Sequence, residues 1–193
     1  MRKLLLTTAA VAAAIAGTVA GETAFGTFTD TRDGQTYKTV KIGKQTWMAQ
    51  NINYKADSSW CYDDSLSYCK KYGRLYDWNT AKTVCPKGWK LPSREDWKRL
   101  VATADKKLKS KSRWNENGHG TDNYGFSTQP GGLRLSGGGF YTAAGYLGYW
   151  WTATEFSGGY AYLRGMGYDG GRVYEDDGNK SFGFSVRCVA DRP

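Results

Sequence analysis

Cys61, Cys69, Cys85 and Cys188 are the four thiols of this sequence, and His119 is its one imidazole. Thiolates can act as nucleophiles, bind zinc or pair as disulfides. Zinc sites need closely spaced ligands, and this chain has no Cys-x-x-Cys and only His119 to add. Disulfides are therefore expected, and four cysteines allow three pairings. Cys61 with Cys69 closes a small loop. Cys85 with Cys188 then ties the middle of the chain to its end, a link worth roughly 4–5 kcal/mol in the chain-entropy account.

The other reactive residues form poor constellations. His119 lies in a Gly- and Asn-rich stretch, and a triad would have to use it. No Gly-x-Ser-x-Gly elbow accompanies it. Glu155, Glu175, Asp176 and Asp177 could supply the two carboxylates of a glycosidase, but Glu175, Asp176 and Asp177 read first as a charged turn. Calcium takes oxygen ligands, and Asn115, Glu116, Asn117, Asp122 and Asn123, or Glu175, Asp176, Asp177 and Asn179, could provide them. Neither run is an EF-hand loop. No cofactor is expected, with Asp122, Glu175 and Asp176 as secondary calcium candidates.

Stacking is the chemistry that the composition favours. Aromatics are 15% of the residues, with eight Trp and fourteen Tyr. Such rings offer a flat apolar face and a polar edge, which suits sugars and protein surfaces alike. Trp114, Asn117, Asp122, Asn123, Tyr141, Tyr146, Tyr149 and Tyr168 are the ligand-binding candidates, in or near the Gly-rich stretch 114–148. Trp150 and Trp151 are adjacent on an expected strand. They should face opposite sides, one in the core and one open to solvent.

The formal charge of +9 fits attraction to acidic polymers or anionic surfaces. Residues 106–113 are the densest basic run and read as a solvated helix end. Nucleic acid is not an expected partner, because the N-terminus points to export. Met1-Arg2-Lys3 precedes the uncharged run from Leu4 to Val19, and Thr18-Val19-Ala20 fits a cleavage site. Residues 1–20 therefore read as a signal peptide, too short for a membrane span. Residues 21–27 follow as a linker and 28–193 as one domain, with no transmembrane segment after cleavage.

The elements that must position these residues are short. Residues 27–55 read as strands, with Tyr37, Val40, Ile42, Trp47, Met48 and Ile52 buried and a hairpin at Gly43-Lys44. Residues 57–72 read as a loop. A short helix is expected over 75–84, ended by Cys85-Pro86-Lys87-Gly88. A second starts at Ser93, with Asp96 completing a capping box. Trp97, Leu100, Val101, Ala104 and Leu108 share its buried face. Residues 114–148 read as one long irregular loop. Strands return at 149–154, 160–166, 171–174 and 181–189. In the last, Phe182, Phe184, Val186 and Cys188 alternate with Gly183, Ser185 and Arg187, which gives one buried face.

Several motifs resemble the Fibrobacter major paralogous domain (FISUMP) family. They are Asp30-Thr31-Arg32-Asp33-Gly34-Gln35-Thr36-Tyr37, Ile42-Gly43-Lys44-Gln45-Thr46-Trp47-Met48-Ala49-Gln50-Asn51, Gly73-Arg74-Leu75-Tyr76-Asp77-Trp78, Cys85-Pro86-Lys87-Gly88-Trp89-Lys90-Leu91-Pro92-Ser93, Gly120-Thr121-Asp122-Asn123-Tyr124-Gly125-Phe126 and Tyr149-Trp150-Trp151-Thr152-Ala153-Thr154-Glu155. The resemblance spans about residues 28–190 and implies a secreted or surface-attached bacterial protein, without an activity. More distantly, Lys90-Leu91-Pro92-Ser93-Arg94-Glu95-Asp96-Trp97 and Ser185-Val186-Arg187-Cys188-Val189-Ala190-Asp191 are similar to formylglycine-generating enzymes. That similarity implies an α+β, C-type-lectin-like fold with two short helices, a twisted antiparallel sheet and a long irregular loop region. In such a fold a Cys just before the helix can bridge to the last strand, which matches Cys85 and Cys188.

Three functions follow as expectations. The first is a non-catalytic binding module for extracellular carbohydrate or a surface protein, secreted, periplasmic or on the cell surface. The second is a structural or adhesive surface protein with protein partners only. The third, an enzyme of the formylglycine-generating type, needs reactive cysteines shortly before the final strand. No Cys lies between Cys85 and Cys188, so an enzyme is not expected.

Overall fold

The last strands of the chain insert between earlier ones in both sheets, and this closure organises the fold. The structure, a computed structural model, describes residues 24–191. The expected signal peptide, 1–20, lies outside the described residues. The strands are β1 (Phe25–Thr29), β2 (Thr36–Ile42), β3 (Gln45–Met48), β4 (Ser59–Trp60), β5 (Leu75–Tyr76), β6 (Trp89–Lys90), β7 (Gly131–Arg134), β8 (Phe140–Ala144), β9 (Leu147–Ser157), β10 (Tyr160–Gly167), β11 (Tyr174–Asn179), β12 (Phe184–Ser185) and β13 (Val189–Ala190). The helices are α1 (Leu66–Tyr72), α2 (Trp78–Val84) and α3 (Arg94–Ala104). One sheet has the order β1-β2-β3-β13-β6, and the other runs β11-β10-β9-β12-β5-β4 with the β7–β8 hairpin attached through β9.

The molecule is thus a mixed α+β protein, as expected, with two sheets in place of one. The pairings are antiparallel apart from the short contacts of β12 and β7 with β9. Residues 25–27, expected as linker, belong to β1 and pair with β2. The Gly43-Lys44 hairpin forms between β2 and β3.

The helices follow their local signals. Asp77 caps α2 by accepting from the Thr80 N–H at 2.8 Å. The expected helix at 75–84 therefore begins late, because Leu75 and Tyr76 pair in the sheet. At α3, Ser93 N–H donates to Asp96 Oδ2 at 2.9 Å and Asp96 N–H donates to Ser93 Oγ at 3.1 Å, which is the reciprocal capping box. Trp97, Leu100, Ala104 and Leu108 are buried beneath it. A third helix, α1, occupies the expected 57–72 loop. Seven residues with only Cys69 and Tyr72 buried carry little periodic signal, and the Cys61–Cys69 bridge holds them.

Two corrections come from β9 and the chain end. Trp150 and Trp151 do face opposite ways, but both are fully buried. Trp150 packs with Trp97, at 6.2 Å between ring centroids, and Trp151 packs on Phe184 at 4.4 Å. β9 is covered on both faces, so neither ring reaches solvent. Likewise Gly183, Ser185 and Arg187 are as buried as Phe184, Val186 and Cys188. The single buried face expected there is two.

The stretch 114–148 is only partly irregular. Gly137-Gly138-Gly139 does make a turn, but its flanks pair as β7 and β8. Strand β11 also falls later than expected, at 174–179, so the acidic residues 175–177 lie in a strand and not a turn.

Candidate binding cleft

The polar interior of the fold turns on Asn51, just after β3. Its Oδ1 accepts from Arg187 Nε at 3.0 Å, Arg187 Nη2 at 2.9 Å and Trp150 Nε1 at 2.9 Å. Its Nδ2 donates to Tyr72 O at 2.8 Å. Arg187 also donates to Met48 O, Phe126 O and Ser127 O. This guanidinium is completely buried and has no carboxylate within salt-bridge reach among the described residues. Burial pushes its pKa down to about 9. Carbonyl oxygens hold the cation.

Asn51 also forms part of the wall of a cleft of about 250 Å³. Lys38 comes from β2, and Gln50 and Asn53 come from the extended chain after β3. The end of α1 adds Lys70, Lys71 and Gly73, and the loops add Arg113, Ser127 and Gln129. Gly73 is required where α1 meets this chain. Its φ is +80°, and a Cβ there would lie 2.7 Å from Ile52 O. Arg113 Nη1 donates to Gln129 Oε1 at 2.7 Å and to Lys71 O. Amides and cations dominate the walls, and no carboxylate is among the lining residues. A shallower groove continues from it past Lys38, Ala49, Gly125 and Ser127 to Phe25, whose side chain is 69% exposed.

The residues expected to bind ligand are placed elsewhere. Trp114 is 2% exposed, with its Nε1 donating to Ser110 Oγ and Thr128 O, so it cannot stack on a ligand. Asp122 holds its own loop by accepting from the Ser127 N–H at 2.8 Å and from the Ser127 hydroxyl. Tyr146 and Tyr168 are half-buried, edge to face at 5.3 Å. Tyr168 shares a shallow pocket with Asn117, His119 and Lys106. Tyr149 is half-buried against Phe184. Asn123 is exposed, and Tyr141 is 58% exposed on β8.

The secondary calcium candidates do not converge. Among the described residues, no group of three His, Cys, Asp or Glu comes together as a metal site. Glu175 is opposite Arg164 in the β10–β11 register, accepts hydrogen bonds from Arg94 and forms ion pairs with both Arg94 and Arg164. The hydrogen bond from Arg94 holds its carboxyl below the usual range. The neighbouring Asp176 accepts from the Asp177 N–H.

The basic run 106–113 is not simply a solvated helix end. Lys109 is 2% exposed, and its ammonium donates to Gly167 O, Tyr168 O and Gly170 O at 2.8, 2.6 and 2.9 Å. Burial pushes its pKa down.

Sequence reading missed the cleft because its residues are scattered over about ninety positions. The signal available was Gln50, Asn51 and Asn53, three amides directly after a buried strand and interrupted only by Ile52. Both disulfides are formed, Cys61–Cys69 and Cys85–Cys188, and none of the four cysteines is free. The result is a two-sheet α+β protein with two disulfides and a cationic, amide-lined cleft. Residues 40–190 match the family model for the Fibrobacter succinogenes major domain, and the chain belongs to that family. Comparison with curated proteins finds no match, and comparison with solved structures finds none.

Proposed function

We propose that this chain is an exported, non-catalytic binding module for extracellular carbohydrate, built on a C-type-lectin-like frame. The amide-lined cleft carries this reading. Gln35, Gln50, Asn53 and Gln129 keep side-chain amide N–H groups with no hydrogen-bond partner among the described residues, which suits the hydroxyl oxygens of a sugar, while Asn51 is committed to the interior. The absence of a carboxylate from the lining residues fits binding better than acid–base hydrolysis. With all four cysteines in disulfides, thiol chemistry of the formylglycine-generating type has no reactive group.

Export is supported by the two disulfides and by the expected signal peptide. No helix among the described residues is long and apolar enough to cross a membrane. The lectin-like frame is supported by β13 pairing with β3 and by the bridge from Cys85, ahead of α3, to Cys188.

A glycan array tests the reading. Binding should be lost in Gln50→Ala and Gln129→Ala, at unchanged melting temperature, and kept in Tyr141→Ala. An array with no bound glycan, together with a surface protein recovered by pull-down, would replace carbohydrate by the adhesive alternative.

A further inference from the structure

Resting on that reading, we infer that the cleft takes a carboxylated polysaccharide, with Arg113 gripping one uronate carboxylate and flanking lysines holding its neighbours. Lys38, Lys70, Lys71 and Arg113 line one cleft. None of them has a carboxylate partner within 4.0 Å among the described residues, where seven other ion pairs form. The protein thus gathers positive charge in one concave place and leaves it unneutralised. A sparse, scattered surface charge would not need a cleft.

Arg113 makes the inference specific. Its backbone has φ +76°, a left-handed conformation that non-glycine residues rarely adopt and that clusters at binding sites. Its Nη1 is held by Gln129 Oε1 and Lys71 O. Nε and Nη2 have no hydrogen-bond partner among the described residues. Those two N–H groups form the side-on edge of the guanidinium, which fits a planar carboxylate with two parallel hydrogen bonds. The fixed Nη1 leaves that edge pre-aimed, so little freedom is lost on binding.

The adjoining groove explains why a polymer is expected and not a single small acid. Phe25 lies against Gly125, where a Cβ would come within 2.5 Å of its ring. The exposed ring can cover the apolar face of a further sugar unit. Charge in the cleft and a stacking wall beside it suit successive units of one chain.

The test is isothermal titration calorimetry of the full chain with four probes: oligogalacturonate, its methyl ester, a neutral cello-oligosaccharide and a carrageenan oligosaccharide, which is sulfated and has no carboxylate. Oligogalacturonate should bind best, and esterification should weaken it by at least about tenfold, since the loss of the Arg113 contact alone is worth that much. Raised salt should weaken it further. Lys38→Gln and Lys71→Gln should each reduce affinity, while Lys87→Gln, an equal change of charge outside the cleft, should not. Arg113→Lys keeps the charge but loses the fork, and should weaken binding at unchanged melting temperature. Equal affinity for acid and ester, or preference for the neutral sugar, overturns the inference and leaves the carbohydrate reading intact. Binding of the sulfated sugar alone replaces carboxylate by sulfate and also overturns it. No binding in any arm removes the carbohydrate reading itself.

Discussion

Arg187 and Asn51, 136 positions apart in the chain, share two hydrogen bonds of 2.9 and 3.0 Å inside a fully buried setting. The pair joins the end of the chain to the segment after β3, beside the cleft. Because Asn51 Oδ1 also accepts from Trp150, one side chain serves three donors.

Asn51→Ala removes the acceptor from a buried cation. We expect a loss of about 1.5–3 kcal/mol, the range for a hydrogen bond to a charged group, because Met48 O, Phe126 O and Ser127 O still hold Arg187. Asn51→Asp keeps an acceptor for Arg187 and should lose less, although its donation to Tyr72 O goes. Urea denaturation separates the two. Equal midpoints for Asn51→Ala and the parent would show that Arg187 is held without Asn51.

Trp150→Ala and Trp151→Ala should both be severe. Each removes a fully buried indole from one face of β9, and large-to-alanine changes of this kind cost about 3–5 kcal/mol. A change at an exposed residue would stay within about 0.5 kcal/mol. Chemical denaturation of the two variants should therefore give two large losses.

The two disulfides should differ in weight. The Cys85–Cys188 bridge spans a separation of 103 and the Cys61–Cys69 bridge a separation of 8. Loop-closure entropy then gives about 5 kcal/mol for the first and about 2.5 kcal/mol for the second. Replacing Cys85 and Cys188 together by Ser should lower the melting temperature more than replacing Cys61 and Cys69. The reverse order would mean that α1 depends on its bridge for more than chain entropy.

Stability should fall at both ends of the pH scale. The hydrogen bond from Arg32 holds the buried Asp30 carboxyl below its usual 3.8, and that from Arg94 holds Glu175 below 4.5. Their contribution is complete above those values and is lost as the pH falls through the lowered ones. Burial raises the Tyr37 hydroxyl to about 12. Its contribution is complete below 10.0 and is lost as the pH rises through about 12. Thermal unfolding against pH should show both flanks. Asp30→Asn should flatten the acid one, and Tyr37→Phe the alkaline one.

Local signals were legible wherever a few neighbouring residues decide the structure. The Ser93–Asp96 box, the Gly43-Lys44 turn and the periodic face of α3 are of this kind. The aromatic candidates misled because ring chemistry does not say which way a ring points. Trp114 has the right type for sugar stacking and is nearly sealed from solvent. Gly137 to Gly139 marked a turn correctly, yet the turn alone does not record that β7 also pairs with β9.

The sequence by itself determined the family, the expectation of disulfides, the start of α3 and the excess of positive charge. Each is carried by residue type and close spacing. Tertiary structure alone decided that β9 is buried on both faces and that Arg187 ends inside, among carbonyl oxygens. It alone brought Lys38, Lys71 and Arg113 into one cleft. Contacts between distant segments depend on how two sheets close on each other, and a linear pattern with a period of two or four does not record that closure.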